Sequence, residues 1–132
     1  MPVLVESLDT LSYQDQEDLQ KIYRDAPEGF FAPFADAAEL LEKAGAEGQL
    51  LGARFNDRLL GAARLQRQAD QWLLSHLCVR LPTRRRGVAE RLVTLTEKSA
   101  RDAGSQLRLL GTAESPAVQA LAAKLHVPLL TG

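Results

Sequence analysis

Cysteine, tryptophan and methionine each occur once, and histidine twice, in a chain of 132 residues. A lone cysteine excludes an intramolecular disulfide. So few sulfur and imidazole groups leave no cluster with metal-ligand spacing, and no metal site is expected. No apolar run approaches the roughly 18 residues that a membrane-spanning helix needs. The start, Met-Pro-Val-Leu-Val-Glu, has no charged n-region and is soon followed by acidic residues, so no secretory signal and a cytoplasmic location are expected. Neither sign of charge prevails: 16 Lys and Arg stand against 17 Asp and Glu, a net charge of −1. A general nucleic-acid binder carries a basic excess, and this chain does not.

What remains is an ordinary globular composition, 45% hydrophobic and 25% charged, long enough for one domain, 1–132, with one core. Its charge is unevenly placed. Asp15, Glu17, Asp18, Asp25 and Glu28 make the early part acidic, whereas Arg80, Arg84, Arg85 and Arg86 crowd into seven residues. Such polarity favours a small anionic ligand over a long polyanion.

The stretch from Arg80 to Ala89 organises the chain. Before it, Trp72 to Val79 reads as a strand; after it, Val88, Leu92, Leu95, Ser99 and Ala103 fall at helical spacing. The first N–H groups of a helix have no internal partner, and the helix dipole adds positive charge there. Gly87, lacking a Cβ, lets an anion approach the backbone. Arg84, Arg85, Arg86, Gly87, Val88 and Ala89 therefore read as a phosphate or pyrophosphate cradle. A solvated arginine loop capping an ordinary helix is the plainer alternative, and a nucleic-acid contact a third.

The rest of the chain supplies elements in order. Val3–Leu8 is an opening strand. Ser12 caps a helix over Tyr13–Asp25, with Asp15 three residues on and with Leu19, Ile22 and Tyr23 inward. Phe30, Phe31 and Phe34 form an aromatic knot in a proline-containing loop, followed by a short helix over Asp36–Ala44. The knot either closes the core or forms a flap over a ligand or acceptor groove. Gln49–Phe55 and Leu59–Gln66 are strands joined by a tight Asn56-Asp57-Arg58 turn. The helix Val88–Ala103 ends at Gly104, and Gln106–Leu110 follows as a strand parallel to Trp72–Val79 across a βαβ crossover. Ser115 and Pro116 open a last helix to about Leu125, and Val127–Thr131 adds an edge strand that Pro128 keeps off the sheet centre.

Arg-Arg-Arg-Gly-Val-Ala (Arg84 to Ala89), set between strand and helix, resembles the pyrophosphate loop R/Q-x-x-G-x-G/A of the GNAT acyltransferase superfamily. That resemblance implies an α/β (α+β) GNAT fold: a mixed, mostly antiparallel sheet flanked by helices, with a splayed strand pair at the acyl-CoA site. The splayed strands would end near Val79 and Leu110, and Leu77, Cys78 and Val79 would offer backbone groups to the pantetheine amides of acetyl-CoA or CoA. Gln14-Asp15, Asp18 to Ile22, Ala53 to Asn56, Arg58 to Leu60 and Thr83 to Val88 are similar to one branch, the PanZ/PanM-type acetyl-CoA sensors that mature aspartate decarboxylase in pantothenate biosynthesis. The branch implies a decarboxylase zymogen as partner, met through Arg54 and Asn56; turn chemistry alone would leave Arg54 to Arg58 a solvated hairpin. Residues 30–48 look longer than that branch's equivalent, and His126-Val127 stands where it has Gly-Phe.

An acetyltransferase usually needs a base for the acceptor amine and an acid for the thiolate. Strands 59–65 and 72–79 hold no glutamate, and Tyr13 and Tyr23 sit in the first helix, far in sequence from the thiolate. His76 is a substitute base and Cys78 a candidate nucleophile, although a structural histidine and a buried cysteine are commoner uses. His126 is a weaker acid candidate. Capping accounts for Glu114 and Ser115. The expectation is an acetyl-CoA-binding regulator; an N-acetyltransferase acting on a small or protein amine is the alternative.

Overall fold

The computed structural model describes residues 3–24, 26, 30–80, 87–111 and 116–131. The chain runs β1 (Leu4–Ser7), α1 (Tyr13–Tyr23), α2 (Ala37–Ala46), β2 (Leu50–Phe55), β3 (Arg58–Arg67), β4 (Gln71–Val79), α3 (Val88–Asp102), β5 (Gln106–Gly111), α4 (Pro116–Leu125) and β6 (Leu129–Thr131). The strands form one six-stranded sheet in sequence order. Neighbours from β1 to β4 are antiparallel; β4–β5 and β5–β6 are parallel. The mixed sheet of the sequence reading is therefore present.

Local chemistry accounts for the boundaries. At α1, the Ser12 hydroxyl accepts from the Asp15 N–H at 3.0 Å while Asp15 accepts from the Ser12 N–H, a full capping box. The helix stops at Tyr23, short of the expected Asp25, which lies outside the described residues. Asp36 caps α2 through the Glu39 N–H instead of opening it. Between β2 and β3, Asn56 and Asp57 both take positive φ (49° and 65°), as a two-residue hairpin of primed type requires.

The sheet separates two apolar layers. On one face α1, α2 and the aromatic segment pack Leu19, Ile22, Tyr23, Leu40 and Ala44 against Leu50, Leu59 and Ala62. On the other, α3 and α4 pack Val88, Leu92, Val93, Ala100 and Ala122 against Leu51, Leu65, Leu74, Leu107 and Leu109. The buried stripe of α3 differs from the one its spacing suggested. Val88, Leu92, Thr96 and Ala100 point inward with Val93, while Ser99 and Ala103 are exposed. Thr96 is buried at no polar cost because its hydroxyl donates to the Leu92 carbonyl at 2.7 Å.

Two irregularities matter for the site. The β3–β4 register passes from Ala62–Cys78 to Arg64–Ser75, so His76 and Leu77 together oppose Ala63, and His76 takes φ +54°. This is a β-bulge. The described β4–β5 register runs only from Gln71–Gln106 to Leu74–Leu109, whereas β4 continues five residues further. The two strands thus part company at the end of β4 nearest α3.

Candidate functional site at the β4 bulge and the start of α3

Gly61 brings α3 to the sheet. A Cβ there would lie 3.2 Å from Val88 Cγ1 and 3.3 Å from Val79 Cγ2, so its absence lets the first turn of α3 settle on β3 and β4. Val88 is buried and Ala89 packs against the same core. Gly87 is the N-cap of α3, with φ +83° and no side-chain cap, and its carbonyl accepts from the Arg91 N–H at 2.9 Å. Residues 81–86, which include Arg84, Arg85 and Arg86 of the anion-cradle reading, lie outside the described residues.

Upstream, β4 distributes its side chains by alternation. Val79 is buried under α3, and Leu77 packs on that same layer. Cys78 faces α1, where its thiol donates to the Ile22 carbonyl at 3.2 Å. It is buried and committed to a backbone acceptor. His76 is also engaged at both ring nitrogens. Nε2 lies 2.9 Å from the Ala32 carbonyl, which can only accept, so Nε2 carries the proton; Nδ1 then accepts from the Ser75 hydroxyl at 3.0 Å. Its ring meets Phe30 edge-on at 5.9 Å and Phe34 at 5.7 Å, between centroids. Burial pushes the His76 pKa down, the nearby Arg64 guanidinium adds to this, and the Ala32 carbonyl opposes it. The Arg64 guanidinium covers Phe34 at 4.9 Å.

Tyr23 is what sequence distance concealed. Its hydroxyl, buried beneath the bulge, donates to the His76 carbonyl at 2.8 Å, and its ring contacts Phe30 and Phe31. Burial, with a smaller push from Cys78, raises its pKa well above the usual phenol value, so it stays a donor. Helical spacing placed Tyr23 inward but carried nothing about which strand it would meet 53 residues on.

A second cluster lies on the β2–β3 hairpin. Arg54 donates to Asp15 through both terminal nitrogens (2.9 and 3.2 Å), to Glu6 through Nε (2.8 Å) and to the Asp57 carbonyl. Arg58 grips the fully buried Asp18 at 2.7–3.1 Å, and Asp18 also accepts from the Leu59 N–H and from Gln14. The Arg54 guanidinium holds Asp15 below the usual carboxylate range. For Asp18, burial pushes upward but Arg58, the Leu59 N–H and Gln14 outweigh it, and the pKa is again lowered. Arg54 is thus knitted in, while Asn56 is exposed at the turn. Leu4, the register partner of Arg54, and Tyr13, two residues before Asp15, are the exposed large apolar side chains among the described residues. Charges spaced Asp15–Asp18 on a helix and Arg54–Arg58 across a turn could have been read as pairs; only their mutual approach needed the fold.

Among the described residues no three His, Cys, Asp or Glu side chains converge as metal ligands, and no helix is long and apolar enough to cross a membrane. His126, also at positive φ (56°), follows α4, and Glu114 and Ser115 lie outside the described residues.

Residues 2–126 match the family described as "Acetyltransferase (GNAT) domain, PanZ". The PanD regulatory factor of Salmonella typhimurium is 39% identical over 93 residues, 70% of this chain and 65% of that protein; its Escherichia coli counterpart is 36% identical over the same shares. The chain therefore spans about 65% of the length of those relatives. Among solved structures, PaiA N-acetyltransferase of Thermoplasma acidophilum in complex with coenzyme A superposes with a TM-score of 0.70 at 19% identity, covering 95% of this chain and 89% of that one. The ribosomal-protein-S18-alanine N-acetyltransferase of Escherichia coli gives 0.68 at 22% identity, covering 94% and 76%. These likenesses show a shared fold.

Proposed function

Since the chain belongs to the PanZ family of GNAT acetyltransferase domains, we propose that it binds acetyl-CoA and regulates the maturation or activity of aspartate 1-decarboxylase. The observation that carries the ligand half is the end of β4, whose described pairing with its parallel neighbour stops at Leu74 while the strand goes on to Val79, together with the start of α3, capped by left-handed Gly87. Leu77, Cys78 and Val79 would offer backbone amides to the pantetheine arm, and Gly87, Val88 and Ala89 would offer N–H groups to the pyrophosphate. Arg84, Arg85 and Arg86 would add charge that follows the phosphates.

The partner half rests on the hairpin cluster. Gln14, Asp15, Asp18, Arg54, Asn56 and Arg58 come from the stretches similar to the family's; Arg54 meets Asp15, and Gln14 and Arg58 meet the buried Asp18. Arg54 and Arg58 hold the hairpin to α1; Asn56, Leu4 and Tyr13 stand out from it. A polar turn beside exposed apolar side chains is a fitting contact for a protein. His76 and Cys78 each spend their polar atoms on internal partners, which favours reading acetyl-CoA over transferring its acyl group.

The test is capture of the same organism's aspartate decarboxylase zymogen with and without acetyl-CoA, followed by mass analysis of backbone cleavage. Capture that depends on acetyl-CoA and Asn56, with cleavage, is expected. Acetyl-CoA binding without capture would instead favour an N-acetyltransferase and a search for its amine.

A further inference from the structure

Leu95 and Ser99, which helical spacing turns inward, border a void instead of the packed core. A cavity of about 150 Å³ lies there, between α3 and the sheet face that α3 covers. Val5 of β1, Leu51 of β2 and Leu65 of β3 line it from the sheet, and Leu95 lines it from the helix. Thr96 borders it too, with its hydroxyl already given to Leu92. Ser99 reaches its rim as a small, exposed side chain that leaves the gap open.

One strong donor stands in this apolar wall. Arg67, the last residue of β3, lays its guanidinium over the Trp72 ring at 5.2 Å from the centroid, and both residues line the cavity. The guanidinium donates to the Ser7 hydroxyl at 3.2 Å and to the Gly48 carbonyl at 3.4 Å. These contacts leave N–H groups of its fork unspent. Among the described residues no carboxylate pairs with it. Glu6 also borders the cavity, but its carboxylate is held by Arg54 at 2.8 Å. Ser7, as the acceptor of Arg67, keeps its own proton to donate.

Size and chemistry together select a ligand class. An apolar void of this volume accommodates a body of about six non-hydrogen atoms. A planar guanidinium fork matches a carboxylate, and a few placed polar groups on an apolar lining are what a small-molecule site needs. We propose that this cavity binds a small monocarboxylate with a compact apolar body. The carboxylate lies on Arg67 and Ser7, and the body rests against Trp72, Leu51 and Leu65 beneath Leu95. The site goes beyond the acyl-CoA reading and does not depend on it. Leu95 and Ser99 stand eight and twelve residues beyond Gly87, roughly 12–18 Å along the helix from the expected anion cradle.

Trp72 is the only tryptophan in the chain, so its indole N–H resonance reports on the cavity directly. The probes are benzoate, benzamide, which keeps the shape without the charge, and inorganic phosphate, which keeps charge without the body. Benzoate is expected to move the Trp72 line with saturation near about 1 mM, benzamide to bind about tenfold more weakly, and phosphate to give no saturable shift. Arg67→Gln, at an exposed position, is expected to weaken benzoate about tenfold and to leave benzamide within about twofold. Ser99→Leu, also at an exposed position, fills the gap and is expected to remove both. Circular dichroism checks that each variant keeps its fold. No movement of Trp72 up to about 20 mM benzoate overturns the proposal. So does equal affinity for benzoate and benzamide, or for benzoate and phosphate. Undiminished benzoate binding by Arg67→Gln or by Ser99→Leu overturns it as well.

Discussion

Asp18 has no solvent exposure, yet its carboxylate is ionised and held by the Arg58 guanidinium at 2.7 Å. The pair joins the middle of α1 to the first residue of β3, and the Leu59 N–H completes the carboxylate's shell. Buried charge is tolerated only with such compensation. The arrangement makes α1 and the hairpin move as one piece.

Asp18→Ala should therefore orphan both the Leu59 N–H and the Arg58 guanidinium. The expected loss of unfolding free energy is on the order of 2 kcal/mol, at the modest end because water still reaches the arginine. Urea denaturation measures it. A loss indistinguishable from that of an exposed substitution such as Glu42→Ala would show that the clamp is ornamental.

Acid should loosen the same clamp. Asp15 and Asp18 have lowered pKa values in the folded chain, so the unfolded chain binds more protons at low pH. Their stabilisation is present in full above the unfolded value of about 3.9 and is lost as pH falls through the folded values. Thermal melts between pH 6 and pH 2.5, ranges of about the width such a transition needs, should show a steeper decline for the native chain than for a Asp15→Asn/Asp18→Asn variant. Parallel curves would assign acid sensitivity to other carboxylates.

His76 acts in a higher window with the same sign. Its folded pKa is lowered by burial and by Arg64, so the neutral form is favoured by folding. That contribution is intact above the unfolded value of about 6.5 and declines as pH falls through the folded value. In an NMR titration the His76 ring should have a midpoint below about 6.5. A midpoint above that value would contradict burial as the dominant influence on the ring.

Adding one methyl group should have opposite effects at two glycines. Neither Gly45 nor Gly87 has a neighbour within 4 Å of a built Cβ. Gly45 is helical, so Gly45→Ala should stabilise by about 0.5–1 kcal/mol. Gly87 sits at φ +83°, so Gly87→Ala should destabilise by about 1 kcal/mol through backbone strain alone. Equal melting shifts for the two would show that the left-handed turn before α3 is not needed.

Much of the architecture was legible because it is encoded locally. Ser12 and Asp15 announce α1, Asn56-Asp57 announces the hairpin, and the switch from strand to helical spacing around Gly87 announces the junction that frames the site. What escaped was whatever depends on two distant segments meeting. The inner stripe of α3 includes Thr96, whose hydroxyl turns back on its own helix, and a polarity pattern scores that residue as outward. Helical spacing turns Tyr23 inward and residue type marks His76 as a substitute base, but their meeting depends on how α1 lies across the sheet. Asp15 reads as a capping partner and Asp18 as part of an acidic early stretch, and α1 alone does not reveal that two arginines 39 and 40 residues later close over them.

The chain holds only two tyrosines, one 78% exposed at the start of α1 and one 2% exposed at its end. Fluorotyrosine incorporated throughout would give two resonances and no others. Tyr13 would serve as a solvent-facing reference whose line shifts in heavy water, and Tyr23 as a reporter sealed beneath the bulge. A change at β4 would move one line and leave the other still, so a single spectrum would separate events at the strand from tumbling, concentration or salt. The scarcity of phenols makes the helix its own calibrated instrument.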